Sequence, residues 1–498
     1  MSTTCTQSPR TDRMSKEVYH AGSASGETGG AFKKPETRNS RQALQSGKKA
    51  TAKAVGFSQP KADFMQPGAG ASQSTAGVSQ PSAPGAGDSD VIVIGAGAAG
   101  MMAAVTAARA GASVTLFERG DREGRKLRIT GKGRCNVTND CDTEEFLSNV
   151  PTNPRFLYAA LNRFGTAETK AFFEDAGVPL KVERGKRVFP VSDRAADIVS
   201  ALVKTCREAG VCTVHGRVHD IRTENGRVTG VTAGGKFYAA GAVILATGGK
   251  SYPLTGSDGD GYRMAEALGH TVTPLRPSLV PIVEDGHFCA SLQGLSLRNV
   301  SLRITERGDG KIVYEDFGEM MFTHFGLTGP MILSASAHLS DMVPGKYEAQ
   351  IDLKPALDAK TLDARVLSDF SRYENRDFIN ALGDLLPQKL ILPVIRLSGI
   401  DERKKVNSVT REERKKLVSV IKGLRVPLRG FRPIEEAIVT KGGISVKEVS
   451  PCTMESKLVA GLYFAGEVLD LDAYTGGFNL QIAFSTGVLA GESAAEKL

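Results

Sequence analysis

The chain has 498 residues, more than one ordinary hydrophobic core can hold, which predicts two or three domains. Hydrophobic residues make up 41% and charged residues 24%, as in a soluble globular protein, and no apolar run is long enough to predict a membrane-spanning helix. The net charge of +8 raises the question of nucleic acid, but much of it lies in the N-terminal segment and in Arg403 to Lys416. A solvated face is therefore favoured over a nucleic-acid site.

The first 88 residues are rich in Ser, Gly, Ala, Gln, Lys and Pro and show no helical or strand period. Such a segment cannot bury enough apolar surface to offset the loss of chain entropy, so we predict a disordered tail over 1–88. The seven cysteines of the chain are odd in number and scattered. This pattern favours a reducing, cytoplasmic location. The sequence shows no cluster of cysteine and histidine residues, so it does not predict a metal site.

The first ordered elements form a strand, a glycine turn, a helix and a second strand. Val91 to Ile94 is a short apolar run typical of a buried parallel strand, and Ala98 to Ala110 is a helix of small residues. Ser113 to Phe117 forms the next strand, which ends in Glu118. The order of these elements predicts a βαβ unit.

Later elements alternate in the same style and then change character. We predict a helix over 197–209, strands over 211–214, 228–232, 242–246 and 462–466, and a closing helix over 480–497. Between them, 272–352 alternates like an antiparallel β unit and 357–424 has helical periodicity. An inserted domain with β and helical parts is the simplest interpretation.

The glycine turn has the pattern GxGxxG. Gly95 permits the tight turn, Gly97 lets the backbone approach a pyrophosphate, and Gly100 lets the helix pack closely on the strand. Glu118 is placed to accept hydrogen bonds from ribose hydroxyls. These features predict a dinucleotide site, and the alternative is a glycine-rich structural turn.

Two further segments favour FAD as the dinucleotide. Ala242 to Gly249 is an apolar strand followed by Thr-Gly-Gly, and Gly461 to Glu467 is a strand that ends in an acid. Both are similar to signatures of FAD proteins of the glutathione-reductase type, and an NAD-only Rossmann protein does not need them. The alternative is a pair of unrelated buried strands.

A glycine pair, Gly476 and Gly477, opens the last helix. Against the pyrimidine end of the isoalloxazine ring, its amides would stabilise negative charge on N1 and O2 of reduced flavin. A plain helix cap is the alternative interpretation.

Several long motifs resemble one family. They are Gly124–Leu127, Thr130–Asn139, Thr247–Pro253, Thr255–Tyr262 and Phe322–Pro330. Together they resemble the BaiN-like NAD(P)/FAD-dependent oxidoreductase family of bacterial flavoproteins, from Asp90 to the C-terminus.

The resemblance implies an α/β fold with a glutathione-reductase-like, Rossmann-type FAD domain over 89–271 and 450–498. A β-barrel-like inserted domain would occupy 272–354 and 425–449, and a small helical insert 355–424. The resemblance also implies hydride transfer through flavin N5, with NAD(P)H as donor and an unsaturated or carbonyl-containing organic molecule as substrate. Because no second GxGxxG follows a strand, the nicotinamide would dock transiently.

The motifs and the resemblance together give a set of expected cofactor contacts. They are Gly95, Gly97, Ala98, Ala99, Gly100, Glu118, Arg119, Lys126, Gly131, Lys132, Arg134, Cys135, Asn136, Thr247, Gly248, Gly249, Gly466, Glu467, Gly476, Gly477, Phe478 and Asn479. Cys135 and Cys141 are separated by five residues, whereas the redox pair of flavin disulfide reductases is separated by four. Cys135 is therefore interpreted as a packing residue beside the flavin.

Three side chains are expected proton donors to the substrate: His324, Tyr252 and Tyr474. The sequence does not choose among them, and a lone histidine without a catalytic role is an alternative for His324. Three other functions stay open: a flavin-dependent oxidase, an RNA-associated flavoprotein related to tRNA-modifying FAD enzymes, and a redox sensor without turnover. The RNA alternative is disfavoured because the chain lacks a basic stripe interleaved with aromatic residues.

Overall fold

The computed structural model describes residues 88–497, so all of the predicted disordered tail except Asp88 lies outside the described residues. The described residues form these strands: β1 Ser89–Ile94, β2 Val114–Glu118, β3 Thr138–Asn139, β4 Leu180–Glu183, β5 Arg187–Pro190, β6 Cys212–His215, β7 Val218–Glu224, β8 Arg227–Ala233, β9 Lys236–Leu245, β10 Arg276–Ser278, β11 Ile282–Glu284, β12 Ser296–Glu306, β13 Ile312–Phe322, β14 Gly326–Thr328, β15 Tyr347–Asp352, β16 Leu424–Phe431, β17 Val439–Lys441 and β18 Leu462–Phe464.

The same part of the chain forms these α-helices: α1 Ala98–Arg109, α2 Arg125–Ile129, α3 Thr143–Ser148, α4 Tyr158–Arg163, α5 Thr166–Asp175, α6 Ala195–Glu208, α7 Asp260–Ala267, α8 Phe288–Ser291, α9 Pro330–Ser336, α10 Ala359–Arg372, α11 Gln388–Ser398, α12 Arg411–Lys422 and α13 Phe478–Glu496. None of them is long and apolar enough to cross a membrane.

The central sheet has five parallel strands in the order β6-β2-β1-β9-β18. The apolar run of β1, Val91 to Ile94, is buried, as the continuous hydrophobic pattern predicts for a strand covered on both faces. The first half of β9 leaves this sheet and pairs antiparallel with β8, which pairs with β7. The predicted strand over 242–246 is thus the second half of a ten-residue strand.

The closing helix α13 packs on α1 against the central sheet. Glycines make this approach possible, because a Cβ on Gly487 would lie 2.5 Å from the carbonyl oxygen of Ala99 and one on Gly491 would clash with that of Ala103. Helix α13 begins at Phe478, two residues before the predicted start, because Gly477 with φ of 100° already ends the preceding turn.

A closed antiparallel barrel follows the central domain in the chain. Its strands run in the order β11-β14-β13-β12-β15-β16, and β16 pairs with β11 to close it. Helices α10 to α12 lie between β15 and β16 in sequence and share one hydrophobic core with the barrel. The predicted fold class is confirmed, while the domain boundaries stay predictions.

Two small sheets were not predicted from the sequence. One joins β3, β5 and β4, and the other pairs β10 with β17. Their strands are two to four residues long, too short to produce a recognisable alternation.

Candidate cofactor and active site

The glycine turn lies where β1 ends and α1 begins, and its three glycines have three different surroundings. Gly95 has φ of 103°, and a Cβ there would lie 2.7 Å from the carbonyl oxygen of Ala246. A Cβ on Gly100 would clash with the carbonyl oxygen of Gly95. A Cβ on Gly97 would meet nothing within 4 Å, and no side chain caps the helix that starts after it. Gly97 therefore borders open space beside uncapped helical amides, the arrangement that binds phosphate.

Glu118 at the end of β2 is buried and holds the glycine turn. Its Oε2 accepts a hydrogen bond from the backbone N–H of Ala96 at 3.1 Å, and its Oε1 accepts one from that of Gly120 at 2.7 Å. A carboxylate has about four acceptor sites, so Glu118 can still accept hydrogen bonds from ribose hydroxyls. The neighbouring Arg119 forms ion pairs with Asp258 and Asp260.

The Thr-Gly-Gly segment after β9 lies beside the glycine turn. Thr247 Oγ1 is buried and has no hydrogen-bond partner among the described residues. Gly248 has φ of 74°, and a Cβ on Gly249 would lie 2.7 Å from Oε1 of Glu467. Close approach of the Thr440 and Glu467 side chains therefore explains Gly249.

Glu467 is held by residues from three parts of the chain. Lys126 Nζ donates to its Oε2 at 2.6 Å, the backbone N–H of Thr440 donates to its Oε1 at 2.9 Å, and Ser251 Oγ lies 3.2 Å from the same oxygen. The preceding Gly466 touches α1, because a Cβ there would lie 2.8 Å from Cβ of Ala99. This network fixes the end of β18 against the glycine turn and neutralises Lys126.

The loop from Gly131 to Asn136 contains left-handed residues. Gly131, Lys132 and Cys135 have φ of 57°, 59° and 59°, and Lys132 is exposed. Arg134 pairs with Glu183 and Asp193, each at 2.5 Å. Its cation is therefore already partnered in this structure.

The cysteines of this region are buried thiols. Burial raises the pKa of Cys135 to about 12 and that of Cys141 to about 11. Both are free, and the raised pKa disfavours the reactive thiolate at neutral pH. The interpretation of Cys135 as a packing residue beside the flavin stays a prediction. The neighbouring Asn136 has a buried Oδ1 without a partner in residues 88–497.

The turn before α13 is fixed by its own side chains. Asn479 Oδ1 accepts from the backbone N–H of Ala473 at 2.9 Å, and its Nδ2 donates to the carbonyl oxygen of Ala473 at 2.7 Å. Gly476 O accepts from Asn139 Nδ2 at 3.0 Å, and Phe478 packs edge-on against Phe146. Gly477 lies so close to Thr138 that any side chain would clash. These contacts explain the glycines and Asn479 by packing, and no side chain caps the first turn of α13.

The three expected proton donors have different surroundings. His324 is exposed on the loop between β13 and β14, where its ring packs edge-on against Phe325. Tyr252 has φ of 51° and precedes a short 3-10 helix. Tyr474 is half-buried, and its hydroxyl contacts Nε2 of His338. Sequence reasoning missed His338, because no motif surrounds it and its partner is 136 residues away in the chain.

The residues present fit FAD. The structure brings together the glycine turn, Glu118, the segment after β9 and the end of β18, all at the carboxyl ends of parallel strands, where open α/β sheets bind ligands. The open space at Gly97 and the unpartnered polar atoms of Thr247 and Asn136 leave donors and acceptors for a ligand. The individual contacts stay predictions.

Fold and site together define an FAD-dependent oxidoreductase with a Rossmann-type domain. The family described as HI0933-like protein Rossmann domain matches residues 89–493. The chain belongs to this family, which confirms the resemblance found in the sequence.

Curated relatives match almost along their whole length. The 3-dehydro-bile acid delta(4,6)-reductase of Clostridium scindens is 32% identical over 81% of this chain and 98% of that protein. The ribosomal RNA dihydrouridine synthase of Escherichia coli K12 is 32% identical over 80% of this chain and 96% of that protein. Among solved structures, the 3-ketosteroid-delta4-(5alpha)-dehydrogenase of Rhodococcus jostii RHA1 aligns with 18% identity and a TM-score of 0.46, over 82% of this chain and 97% of that chain.

Proposed function

We propose that this protein uses NAD(P)H to reduce a carbon–carbon double bond conjugated with a carbonyl group in an organic substrate. The observation that carries the proposal is the open space at Gly97 beside a carboxylate, Glu118, with free acceptor sites. Bound FAD would supply hydride chemistry that protein side chains lack. The chain would bind the cofactor through backbone amides and position it with the network around Glu467.

The substrate class is supported by the names of two relatives. One is a delta(4,6)-reductase of a 3-dehydro-bile acid, and the other is a dihydrouridine synthase. Forming dihydrouridine from uridine adds two hydrogens across a double bond conjugated with a carbonyl, as does reduction of an enone. The shared chemistry is therefore better supported than either particular substrate.

Anaerobic spectroscopy tests the proposal. Oxidised flavin absorbs at roughly 450 nm, and we expect NADH or NADPH to bleach this band and an enone such as cyclohex-2-enone to restore it. Failure of both nicotinamides to bleach the flavin would contradict the proposed donor. If dioxygen restores the flavin band but no enone or uridine compound does, the flavin-dependent oxidase would be favoured instead.

An RNA substrate is the second candidate function, because a relative of comparable similarity is named a ribosomal RNA dihydrouridine synthase. The Lys/Arg-rich stretch from Arg403 to Lys416 gives the RNA candidate little support. Lys404 pairs with Glu413 at 2.7 Å, and Arg414 pairs with Asp363 at 2.6 Å. Its cations are thus partly neutralised, as expected for a solvated face.

Mass spectrometry of ribosomal RNA separates the two candidates. RNA from cells lacking this protein would be incubated with the purified protein and NAD(P)H. A uridine that gains two hydrogens would establish the RNA substrate, together with binding that weakens steeply as salt rises. An unchanged RNA mass alongside turnover of enones would establish the small-molecule reductase.

A further inference from the structure

A histidine and a tyrosine join the barrel side of the molecule to the turn before α13. His338 lies just after α9, and Tyr474 lies between β18 and α13. The Tyr474 hydroxyl contacts His338 Nε2, and the two rings stack with centroids 5.3 Å apart at 30°. On its other side, the His338 ring packs on Tyr314 at 5.0 Å, and the Tyr314 hydroxyl donates to Asp316 at 2.8 Å.

Burial is the main influence on the pKa of each member of this pair, and it favours the neutral form of both. Burial lowers the pKa of His338, and Lys441 acts in the same direction against the opposing effect of Asp472. Burial raises the pKa of Tyr474, and Asp472 and Asp316 add to that shift. The pair therefore holds a phenol proton next to an uncharged imidazole.

A cavity borders the chain segment that carries His338. Both side chains of the pair are half-buried rather than enclosed. The cavity has a volume of about 340 Å³ and is lined by Ser336 and Leu339, which flank His338 in the chain, and by Lys441. Cavities of this size accommodate small organic ligands.

We propose that the Tyr474 hydroxyl is the proton donor of the reduction and that His338 is its positioning residue. This inference rests on the proposed function. Of the three expected donors, Tyr474 alone has a titratable hydrogen-bonding partner within residues 88–497. A tyrosine without such a partner has no neighbouring group to stabilise the tyrosinate left after its proton departs.

The reduction adds one hydride and one proton across the substrate double bond. One carbon of the substrate double bond gains a hydride, with NAD(P)H as the ultimate reductant. The neighbouring carbon gains the Tyr474 proton, so that a C–H bond forms and the O–H bond breaks. The resulting tyrosinate accepts a hydrogen bond from His338 Nε2–H until a solvent proton restores the hydroxyl. This role requires the neutral tautomer of His338 that carries its proton on Nε2.

The tautomer can be measured on the full chain without any turnover. NMR of the ring ¹⁵N nuclei would report the seven histidines, and His338→Gln would identify the signal of His338. We expect an Nε2-protonated neutral ring that titrates below its ordinary pKa of 6.5, with a changed signal in Tyr474→Phe. A neutral ring protonated on Nδ1, whose Nε2 accepts the tyrosine proton, would overturn the inference.

Kinetics test the same pair through reoxidation of the reduced protein by cyclohex-2-enone. Tyr474→Phe should slow this step by about 100-fold or more, with unchanged flavin content and unchanged reduction by NAD(P)H. His338→Gln keeps an N–H in the place of Nε2 and should stay within about 10-fold of the wild type. His338→Phe keeps the ring stacking but removes the hydrogen bond, so it should slow reoxidation as much as Tyr474→Phe does.

The double variant separates positioning from a merely structural role. If His338 acts through Tyr474, adding His338→Phe to Tyr474→Phe should slow reoxidation no further. Reoxidation of Tyr474→Phe at the wild-type rate, or full additivity of the two losses, would overturn the inference. A wild-type protein that no enone reoxidises would contradict the proposed function. The tautomer measurement would still show whether His338 Nε2–H donates a hydrogen bond to Tyr474.

Discussion

Gly97 is the glycine of the turn whose missing side chain is not required by packing. Its φ of −84° is open to any residue, and a Cβ there would meet no protein atom within 4 Å. Gly100, three residues later, has no such room, because a Cβ there would clash with Gly95. The same motif thus contains one glycine that packing does not require and another that it does, and ligand binding is the expected reason for the first.

Gly97→Val should weaken FAD binding at least about 10-fold, because the side chain would occupy the phosphate position. The free energy of unfolding of the cofactor-free protein should change by only about 1 kcal/mol, the usual cost at a helix N-cap. Equilibrium titration with FAD and chemical denaturation would measure the two effects. Gly216→Val is the matched control, since Gly216 also has open space around it but lies outside the glycine turn. Equal FAD affinity in Gly97→Val and the control would contradict the assignment.

His270 gives the folded protein a dependence on pH. Its side chain is buried against Phe464, and Ser456 Oγ lies 2.9 Å from its Nε2. Burial lowers its pKa below the ordinary 6.5, outweighing the nearby Glu448. The unfolded chain therefore binds a proton that the folded chain resists, and stability should fall as the pH drops below about 6.5.

Unfolding free energies at pH 8 and pH 5 would check this effect. His270→Gln should lose less stability over that interval than the wild type, because glutamine does not titrate. The half-buried His338 contributes in the same direction, so some dependence should remain. A variant with the full wild-type loss would show that His270 is not responsible.

Sequence reasoning works at the residue scale where a motif states a local rule. The glycine pattern and Glu118 follow from such rules, and the structure places them together. His338 could not be found in this way, because its significance arises only when α9 and the turn before α13 meet in the fold. Arg134 shows the converse, since a cation that was expected to contact the cofactor pairs with two acids of the protein.

At the scale of elements, the site depends on how closely α13 approaches α1. Gly487 and Gly491 face backbone carbonyl groups of α1 one turn apart, so the two helices touch along their backbones. Because the first turn of α1 borders the expected phosphate position, this packing also places the site.

Gly491→Val should destabilise the protein by about 1 to 3 kcal/mol, because the new side chain must push the helices apart. Denaturation of the cofactor-free protein would measure the loss. The control is Glu496→Val, which introduces valine at an exposed position of the same helix and should reduce the free energy of unfolding much less. A neutral Gly491→Val would show that the interface can open without cost.

The predicted elements of the central sheet are confirmed where continuous apolar runs are bounded by glycine. The residue pattern of the inserted region predicted only an antiparallel β unit, and the barrel was implied by the family resemblance alone, because closure depends on β11 pairing with β16. Those strands are separated by almost the whole inserted region, and no local pattern specifies a pairing over that distance.

For the whole molecule, the cofactor site is assembled from segments far apart in sequence. Glu467 joins Lys126 from α2, Thr440 from β17 and Ser251 from the turn after β9. Binding of FAD should therefore stabilise the whole fold rather than one domain, with a melting temperature that rises with FAD concentration.

The most direct test of the account is the cofactor content of the purified full-length protein. We expect a yellow protein that releases FAD on denaturation in equimolar amount and rebinds it afterwards. A colourless protein that stays colourless and unstabilised after incubation with FAD would contradict the central claim that the Rossmann-type domain binds FAD.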